Sequence, residues 1–192
     1  AEGSSNNKYL EIFNGGDSDV NLSAYSLSSC SIGCDTNGEW DYPDNVTFDS
    51  VCVAPGDVYV VCHASADEII LAECDETYTY LSNGDDGFCL VYGSDANYEI
   101  LDCLGDWEGD PGSGWEVAGV PDATKDHTLV RKSSVTEGAG YDWATSAGTN
   151  SDDSEWIVLD QNTWDYLGSH PHDFSSAGCT DVDACNYDGD AS

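Results

Sequence analysis

Short runs of apolar or alternating residues recur along the whole chain and are its main structural signal. Their length of about four to eight residues and their β-branched and aromatic content are typical of β-strands. We predict strands over residues 9–13, 22–27, 46–53, 58–62, 78–81, 88–92, 99–103, 128–131 and 156–159. Only residues 67–74 (DEIILAEC) have a helical pattern, and this predicted helix is short.

The segments between these runs consist of turn residues, such as NGGD, APGD, NGDDG, DPGSG and SDDS. Gly supplies positive φ, and Asn and Asp supply local side-chain caps. Many strands joined by such turns, without alternating helices, favour two packed sheets. We therefore predict an all-β sandwich with one short helix over residues 1–175, followed by a loop-like, acidic, cysteine-containing tail over residues 176–192.

The chain is strongly acidic, with 38 Asp and Glu residues against 4 Lys and Arg residues and a net charge of -34. Binding to nucleic acid depends on Lys and Arg, which displace the counterions of the phosphates. The basic residues are too few for a nucleic-acid partner or an anionic membrane surface: Lys8, Lys125, Arg131 and Lys132. Self-repulsion of this size destabilises a compact chain unless ions screen or bind the carboxylates, so we expect surroundings rich in salt or divalent cations.

Nine cysteines in 192 residues, without a CxxC pair and with only four histidines, predict disulfides rather than zinc thiolates. Disulfides indicate an extracellular or cell-surface location. The spacing of Cys30 and Cys34 (CSIGC) favours a local bridge. The other candidates, whose pairing the sequence leaves open, are Cys52, Cys62, Cys74, Cys89, Cys103, Cys179 and Cys185. The odd total implies a free thiol, an intermolecular bond, or a partner beyond the end of the sequence.

Two sequons, at Asn21 (Asn-Leu-Ser) and Asn45 (Asn-Val-Thr), are candidate N-glycosylation sites if the source is eukaryotic. In a bacterial protein the same sequons would carry no meaning. No apolar run is long enough to cross a bilayer, so we expect no membrane insertion.

The sequence contains no GxSxG elbow, P-loop, HExxH or GxGxxG motif. His170 and His172 could share a face of an extended segment and bind a transition metal, but a surface loop is the simpler interpretation. Adjacent acids such as Asp85 and Asp86 could imitate a glycosidase pair, yet a chain with 38 acids contains such pairs by chance. We therefore predict that the chain is not an enzyme.

Acidic residues are closely spaced in the C-terminal segment GCTDVDACNYDGD, residues 178–190. Ca²⁺ takes about six to eight oxygen ligands, which carboxylates and backbone carbonyls can provide. We predict a calcium site formed by Asp181, Asp183, Asp188 and Asp190, with a solvated acidic linker as the alternative. Residues 83–86 (NGDD) are a weaker candidate, for which a plain hairpin turn is favoured.

Aromatic residues suggest a second kind of binding, to glycans. Trp107, Trp115, Trp143 and Trp164 lie in segments rich in Gly and Asp, where exposed rings could form a platform for sugars. Aromatic side chains in a sandwich more often fill the core or cover its ends. The sequence leaves both interpretations open.

Segments spread over residues 2–173 resemble the lamin-tail domain of secreted microbial and algal proteins. They are EGSSNNKYLEIFNGGDSDVNLSAYSL, APGDVYVVC, NGDDGFCLVY, EILDCLGD, HTLVRKSSVTEG and SEWIVLDQNTWDYLGSH. The resemblance implies an immunoglobulin-like β-sandwich with a role in attachment or interaction, and it brings no catalytic residues.

The tail resembles a short acidic repeat, Gly-Cys-Thr-Asp...Ala-Cys-Asn-Tyr, which occurs in tandem in secreted and surface proteins of marine microbes and algae. That unit usually continues to an Asp-Gly-Ser-Cys ending, so we expect residues 176–192 to be the start of a repeat. The resemblance also supports calcium binding.

One departure from the lamin-tail pattern concerns the first strand. The family usually places an apolar strand before the segment EGSSNNKY, which begins here at Glu2. A sandwich without that strand has an unpaired edge, expected here beside residues 9–13. Either the strand belongs to a segment outside the sequence, or a neighbouring subunit supplies it by β-augmentation.

Two functions from different classes follow. In the favoured one, the chain is a non-catalytic extracellular structural or adhesive module, stabilised by disulfides and calcium. It self-associates or joins neighbouring extracellular domains in a surface layer, filament or multidomain adhesin. In the alternative, the chain is an accessory domain of a secreted hydrolase that binds carbohydrate or another substrate.

Overall fold

A computed structural model describes residues 1–81, 83–94 and 97–171. Strands make up most of the regular structure: β1 (Tyr9–Phe13), β2 (Val20–Asn21), β3 (Tyr25–Cys30), β4 (Tyr42–Thr47), β5 (Cys52–Val53), β6 (Val58–Cys62), β7 (Glu76–Thr77), β8 (Gly87–Ser94), β9 (Asn97–Leu104), β10 (His127–Arg131) and β11 (Trp156–Asp160). The helical elements are short: a 3₁₀ turn at Leu22–Ala24, α1 at Glu68–Leu71 and α2 at Trp143–Ala147. The predicted all-β fold is confirmed.

Most of the predicted strands are present. Residues 9–13 and 58–62 form β1 and β6 with the predicted bounds. The predicted strands near the middle and the end of the chain lie within longer elements, which are β8, β9, β10 and β11. Short apolar or alternating runs were therefore a sound guide to these strands.

Three local predictions were wrong. The segment 22–27 begins with a 3₁₀ turn, because the Asn21 side chain accepts the N–H of Ser23 and caps a helical turn there. The segment 46–53 is divided between the end of β4 and the separate strand β5. The segment 78–81 is not a strand, and the two-residue strand β7 precedes it.

The structure also contains a second short helix that was not predicted. It begins after Asp142, whose carboxylate accepts the backbone N–H of Thr145 at 3.1 Å and its hydroxyl at 2.8 Å. Such a side-chain cap stabilises a helix start by about 1 kcal/mol. The helix ends at Gly148, which has a φ of 63°.

Two sheets form the sandwich. The strand order is β4-β3-β8-β9 in one, with antiparallel neighbours, and β1-β6-β7 in the other, where β7 runs parallel to β6. Side chains from both sheets and their connections form the main core: Ile12, Leu22, Leu27, Val46, Phe48, Val53 and Val61. Burying one such side chain contributes about 1.5–3 kcal/mol, so this core is a major source of stability.

Strand β6 is buried on both faces, which explains its unbroken apolar sequence VYVVC. Val61 packs in the main core, whereas Val60 and Cys62 pack on the opposite side against Ile70 of α1. A disulfide joins Cys62 to Cys74, just after α1. The β1-β6-β7 sheet is therefore the middle layer, between the four-stranded sheet and a cover that includes α1.

Strands β10 and β11 form a separate antiparallel pair with a core of their own. Trp115, Trp143 and Ala147 are buried there, and Leu129 of β10 and Trp156 of β11 pack against them. The ring centroid of Trp143 lies 6.4 Å from that of Trp115 and 6.3 Å from that of Trp156. Aromatic packing therefore holds α2 against this pair of strands.

A cavity of about 850 Å³, which we call the edge cleft, lies between β1 and β10. All five residues of β1 and four of the residues of β10 line it. Neighbouring residues of a strand point to opposite faces, so a strand whose consecutive residues line one cavity presents its edge to it. Strands β6 and β11 occupy the opposite edges of β1 and β10.

The edge of β1 that faces this cleft is paired at one position. Ala1 and Tyr9 exchange two backbone hydrogen bonds, of 2.7 and 3.2 Å. Beyond Tyr9, no backbone group in the described ranges bonds to Glu11 from the cleft side. The open edge expected beside residues 9–13 is thus closed at Tyr9 and open at Glu11.

Candidate functional site

The calcium site predicted in the tail lies outside the described residues. This applies to all of its ligands, to the two tail cysteines and to one of the two closely spaced histidines: Asp181, Asp183, Asp188, Asp190, Cys179, Cys185 and His172. The boundary expected at residue 175 lies there as well. In the part of the chain that the structure describes, no group of three or more His, Cys, Asp or Glu side chains is arranged to hold a metal ion. Calcium binding by the tail stays a prediction.

The weaker calcium candidate, residues 83–86, holds a neighbouring loop in place. The Asp86 carboxylate accepts the N–H of Ile32 at 2.7 Å, and the carbonyl of Asp85 accepts the N–H of Gly33 at 2.9 Å. Burial raises the pKa of the Asp86 carboxyl, and its hydrogen bond from Ile32 opposes that shift. The segment leads into β8 and does not connect two paired strands, so the predicted hairpin turn was wrong.

Three disulfides join cysteines that are near one another in the sequence: Cys30–Cys34, Cys62–Cys74 and Cys89–Cys103. The predicted bridge in the CSIGC loop is confirmed. Cys52 is disulfide-bonded as well. Bridges of this number are typical of proteins that fold in an oxidising environment.

The two sequons differ in how accessible their amides are. Asn21 is exposed and caps the 3₁₀ turn. The Asn45 amide is half-buried and enclosed: Oδ1 accepts from the Tyr78 hydroxyl at 2.6 Å and the Ser29 hydroxyl at 2.8 Å, while the nitrogen donates to the Leu27 carbonyl at 2.7 Å. A glycan on Asn45 would disrupt these contacts, whereas Asn21 can carry one in the folded state.

Every Lys and Arg of the chain bonds to groups within the fold. Lys8 bonds to Glu2 at 2.6 Å, Lys125 to the Ser113 hydroxyl at 3.2 Å, Arg131 to Asp102 and Glu155, and Lys132 to the carbonyls of Ser151 and Ser154. The positive charges are therefore used internally. The charge presented to other molecules comes almost entirely from carboxylates.

Arg131 is at the centre of an ionic cluster beside the edge cleft. Its guanidinium bonds to Asp102 and Glu155, and its Cζ lies 4.1 Å from the ring centroid of Trp156. Burial raises the pKa of the Asp102 carboxyl, and Arg131 opposes this shift by favouring the charged form. The cluster connects β9, β10 and the residue directly before β11.

The four tryptophans considered for a sugar platform do not form one. Trp115 and Trp143 are core residues, exposed by only 9% and 5%. Trp164 packs on Tyr9, with ring centroids 5.7 Å apart. The core interpretation is therefore correct for these three, and only Trp107 belongs to the aromatic group described next.

A pocket lined by aromatic rings lies on the four-stranded sheet, away from the main core. It has a volume of about 190 Å³, and its lining residues are Ser28, Trp40, Pro43, Asp44 and Tyr98. The ring centroid of Trp40 lies 6.3 Å from that of Tyr98 and 4.4 Å from that of Trp107. We call this the aromatic pocket.

The strands of the sheet hold the aromatic pocket in shape. Trp40 packs against Val91 and the Cys89–Cys103 bridge, which fixes its ring on the surface of the sheet. Asp44 has a φ of 47°, a conformation that Asp and Asn adopt more readily than most residues.

Two serines of β3 hold Asp44 in this conformation. The Asp44 carboxylate accepts the Ser26 hydroxyl at 2.5 Å, and its backbone N–H donates to Ser28 Oγ at 2.9 Å. A carboxylate, hydroxyls and aromatic faces thus meet at one place, which suits a polar molecule with apolar C–H faces, such as a sugar ring.

The aromatic pocket was not predicted from the sequence. Trp40 lies in the turn-rich segment NGEWDYPD, the same kind of context that directed attention to the other tryptophans, so it was a detectable candidate. Tyr98 lies 58 positions further on in β9, and no spacing rule connects the two residues. Their meeting depends on the order of strands in the sheet.

A half-buried carboxyl, that of Glu11, borders the edge cleft. Its Oε1 accepts the backbone N–H of Gly168 at 2.7 Å. Burial raises the pKa of Glu11 to about 7, while the Gly168 N–H and the Ala1 amino group act in the opposite direction. This group therefore changes charge near neutral pH.

No helix in the described ranges combines the length and apolar character needed to cross a membrane. Comparison of the chain with models of protein families, with curated proteins and with solved structures finds no match in any of the three. The resemblances to the lamin-tail domain and to the acidic repeat therefore stay predictions that depend on the quoted segments.

Proposed function

We propose that the chain is a non-catalytic extracellular module with a structural or adhesive role, which assembles through divalent cations into a surface layer, filament or multidomain adhesin. The observation that supports this best is the internal use of all four Lys and Arg side chains. When two copies approach one another, carboxylates of one surface therefore face carboxylates of the other and repel them.

The charge balance gives this assembly a specific requirement. Two like charges 4 Å apart repel by about 1 kcal/mol in water, and the repulsion grows as water is excluded from a contact. Monovalent salt weakens this repulsion by screening but does not make it attractive. A divalent cation that binds carboxylates from both copies produces a net attraction between them, because Ca²⁺ prefers several oxygen ligands from flexible side chains.

The disulfides and the acidic tail fit the same proposal. Disulfides keep the sandwich folded in the oxidising surroundings of an extracellular assembly. The four tail aspartates predicted to bind calcium supply a further place for cation-dependent contacts: Asp181, Asp183, Asp188 and Asp190. Calcium would then link modules as well as order the tail.

The test is sedimentation velocity of the native protein in calcium, in magnesium, and in sodium chloride at matched ionic strength. We expect large particles in calcium that dissociate on chelation and are absent in sodium chloride. The Asp181→Asn, Asp183→Asn double variant should lose calcium-dependent assembly while its melting temperature stays unchanged. Asp152→Asn, an exposed acid of the sandwich, is the matched control and should assemble normally. A monomer in all three solutions would overturn the proposal.

The aromatic pocket favours a second candidate function, that of a carbohydrate-binding accessory domain. Trp40 and Tyr98 offer two ring faces, and Asp44 offers a fixed carboxylate within the same small volume. Sugar hydroxyls would bond to the carboxylate while the apolar C–H face of the ring stacks on an aromatic side chain. This function does not require assembly.

Binding to a panel of soluble polysaccharides, measured by titration calorimetry, tests this candidate. Tyr98→Ala should abolish binding, and Tyr98→Phe should retain it, because stacking needs the ring and not the hydroxyl. Tyr141→Ala removes an equally large tyrosine that is 64% exposed at a distant position in the sequence and should bind normally. Equal binding by the Tyr98 and Tyr141 alanine variants would eliminate the pocket as a glycan site.

A further inference from the structure

Among the residues that the structure describes, one acidic side chain and no basic one lines the aromatic pocket. The acidic residue is Asp44. All four Lys and Arg side chains bond to groups elsewhere in the fold. A ligand that brings a carboxylate, sulfate or phosphate into this pocket would therefore meet a like charge without a counterion from the protein. The charge of the pocket disfavours acidic sugars and favours a positively charged group.

The Asp44 carboxylate has one oxygen available to a ligand. Its Oδ1 accepts the Ser26 hydroxyl, whereas its Oδ2 accepts no hydrogen bond from the described residues. Asp44 is half-buried, so the local dielectric is lower than that of bulk water and electrostatic attraction at this carboxylate is stronger. An ammonium donor adds Coulomb attraction to the hydrogen bond with Oδ2, which a sugar hydroxyl does not.

The aromatic rings of the pocket attract the same kind of group. The ring centroids of Trp40 and Tyr98 lie 6.3 Å apart, at an interplanar angle of 60°. A cation held beside both rings can lie within about 6 Å of each centroid, the distance over which the negative face of an aromatic ring attracts a cation. Tryptophan gives the strongest attraction of this kind.

We infer that the aromatic pocket selects amino sugars that carry a free, protonated ammonium group, in preference to neutral, N-acetylated or acidic sugars. The C–H face of the sugar ring stacks on Tyr98, and the ammonium group donates to Asp44 Oδ2 beside the ring of Trp40. This specificity rests on the carbohydrate-binding function proposed above for the same pocket, and it names the class of sugar.

The fold positions these groups before a ligand binds. Trp107 packs on Trp40, with ring centroids 4.4 Å apart, and the backbone N–H of Asp44 donates to Ser28 Oγ at 2.9 Å. Groups that are already in place lose less entropy when a ligand binds. The volume of about 190 Å³ is below the range of about 300–1,000 Å³ for sites that enclose a whole drug-sized ligand. The pocket therefore suits one sugar residue, with the rest of an oligosaccharide outside it.

Titration calorimetry with two matched probes tests this specificity in the full chain. The probes are the linear trimers of glucosamine and of N-acetylglucosamine, at about pH 6, where free amines are protonated. We expect the glucosamine trimer to bind at least about tenfold more tightly, the ratio that about 1.4 kcal/mol of additional attraction produces. Salt at about 0.15 M limits the contribution of distant carboxylates, because the Debye length is then about 8 Å.

The Asp44→Asn variant separates the carboxylate of the pocket from the general negative charge of the chain. Asn tolerates the φ of 47° at this position and keeps an oxygen that can accept from Ser26, so the variant should fold. It should bind both trimers with the affinity that the wild-type protein has for the acetylated one. Asp152→Asn removes an exposed acid outside the pocket lining and should keep the preference for the glucosamine trimer.

The outcomes separate failure of this specificity from failure of carbohydrate binding itself. Equal affinity for the two trimers, abolished by Tyr98→Ala, would overturn the preference for ammonium and leave carbohydrate binding in place. A preference that persists in Asp44→Asn, or that Tyr98→Ala does not weaken, would assign it to the overall charge of the chain and contradict the inference. If neither trimer binds, the inferred specificity is wrong, and the polysaccharide panel then decides whether the pocket binds sugars at all.

Discussion

Replacing Glu11 by Gln should stabilise the fold at alkaline pH and have a much smaller effect in acid. The folded-state pKa of Glu11 is raised from its usual 4.5 to about 7, chiefly by burial. The unfolded chain therefore releases this proton at a lower pH than the folded chain does. Stability contributed by the neutral form is complete below pH 4.5 and declines as the pH rises to about 7, after which the deficit is constant.

The size of this deficit follows from the shift. One pKa unit corresponds to about 1.4 kcal/mol, so the charged carboxylate costs at most about 3 kcal/mol at pH 8 and about 1 kcal/mol at pH 5. Gln is neutral at both values and keeps the oxygen that accepts the N–H of Gly168. The gain in unfolding free energy from Glu11→Gln should therefore be larger at pH 8 by about 2 kcal/mol.

Urea denaturation at constant salt, followed by tryptophan fluorescence at pH 5 and pH 8, measures this difference. Because the chain carries a net charge of -34, removal of any acid reduces repulsion, and the control must account for that. Glu39→Gln removes one exposed carboxylate and serves as that control. An equal gain for the two variants at pH 8, or no pH dependence of the Glu11→Gln gain, would refute the reasoning from burial.

Three further predictions concern the covalent, ionic and modification sites. Replacing both Cys62 and Cys74 by Ala should lower the unfolding free energy by about 3 kcal/mol, because the bridge closes a loop with a sequence separation of 12. Urea denaturation of the oxidised protein and of the variant measures this loss. Arg131→Met should lower the unfolding free energy by about 1.5–3 kcal/mol, since it leaves the partly exposed carboxylates of Asp102 and Glu155 without their cationic partner. A midpoint shift in urea of less than a tenth of the wild-type value would contradict this. Expression through a eukaryotic secretory pathway should place a glycan on Asn21 and leave Asn45 unmodified, because only the Asn21 amide is accessible. Peptide mass spectrometry with and without glycosidase distinguishes the two sites.

The strands were the most predictable part of the fold. Runs such as YLEIF and VYVVC have one clear interpretation, because their length and side chains fit a buried or half-buried strand. Segment 22–27 was less predictable, since one Asn side chain outside the run decides that the chain turns before β3 begins. Helix α2 was missed because its five residues WATSA have too little periodicity to be detected, although the cap at Asp142 marks its start.

The sites were less predictable than the strands, because they depend on contacts between distant segments. The bridge between Cys30 and Cys34 followed from a spacing of four residues. The aromatic pocket did not follow from any spacing, since Trp40 and Tyr98 meet only when β9 lies at the edge of the four-stranded sheet. The edge of β1 was expected to be open, but the role of β10 as the facing strand required the three-dimensional arrangement.

The internal use of all four basic side chains has a consequence for cleavage by proteases. Proteases with trypsin-like specificity cut after Lys or Arg and need several neighbouring residues in an extended, accessible form. Here Arg131 ends a paired strand, and Lys8 is buried beside another one. Cleavage at these positions must wait for local unfolding, so its rate is limited by how often the fold opens. The resistance of these two positions to such proteases is therefore set by the stability of the fold around them.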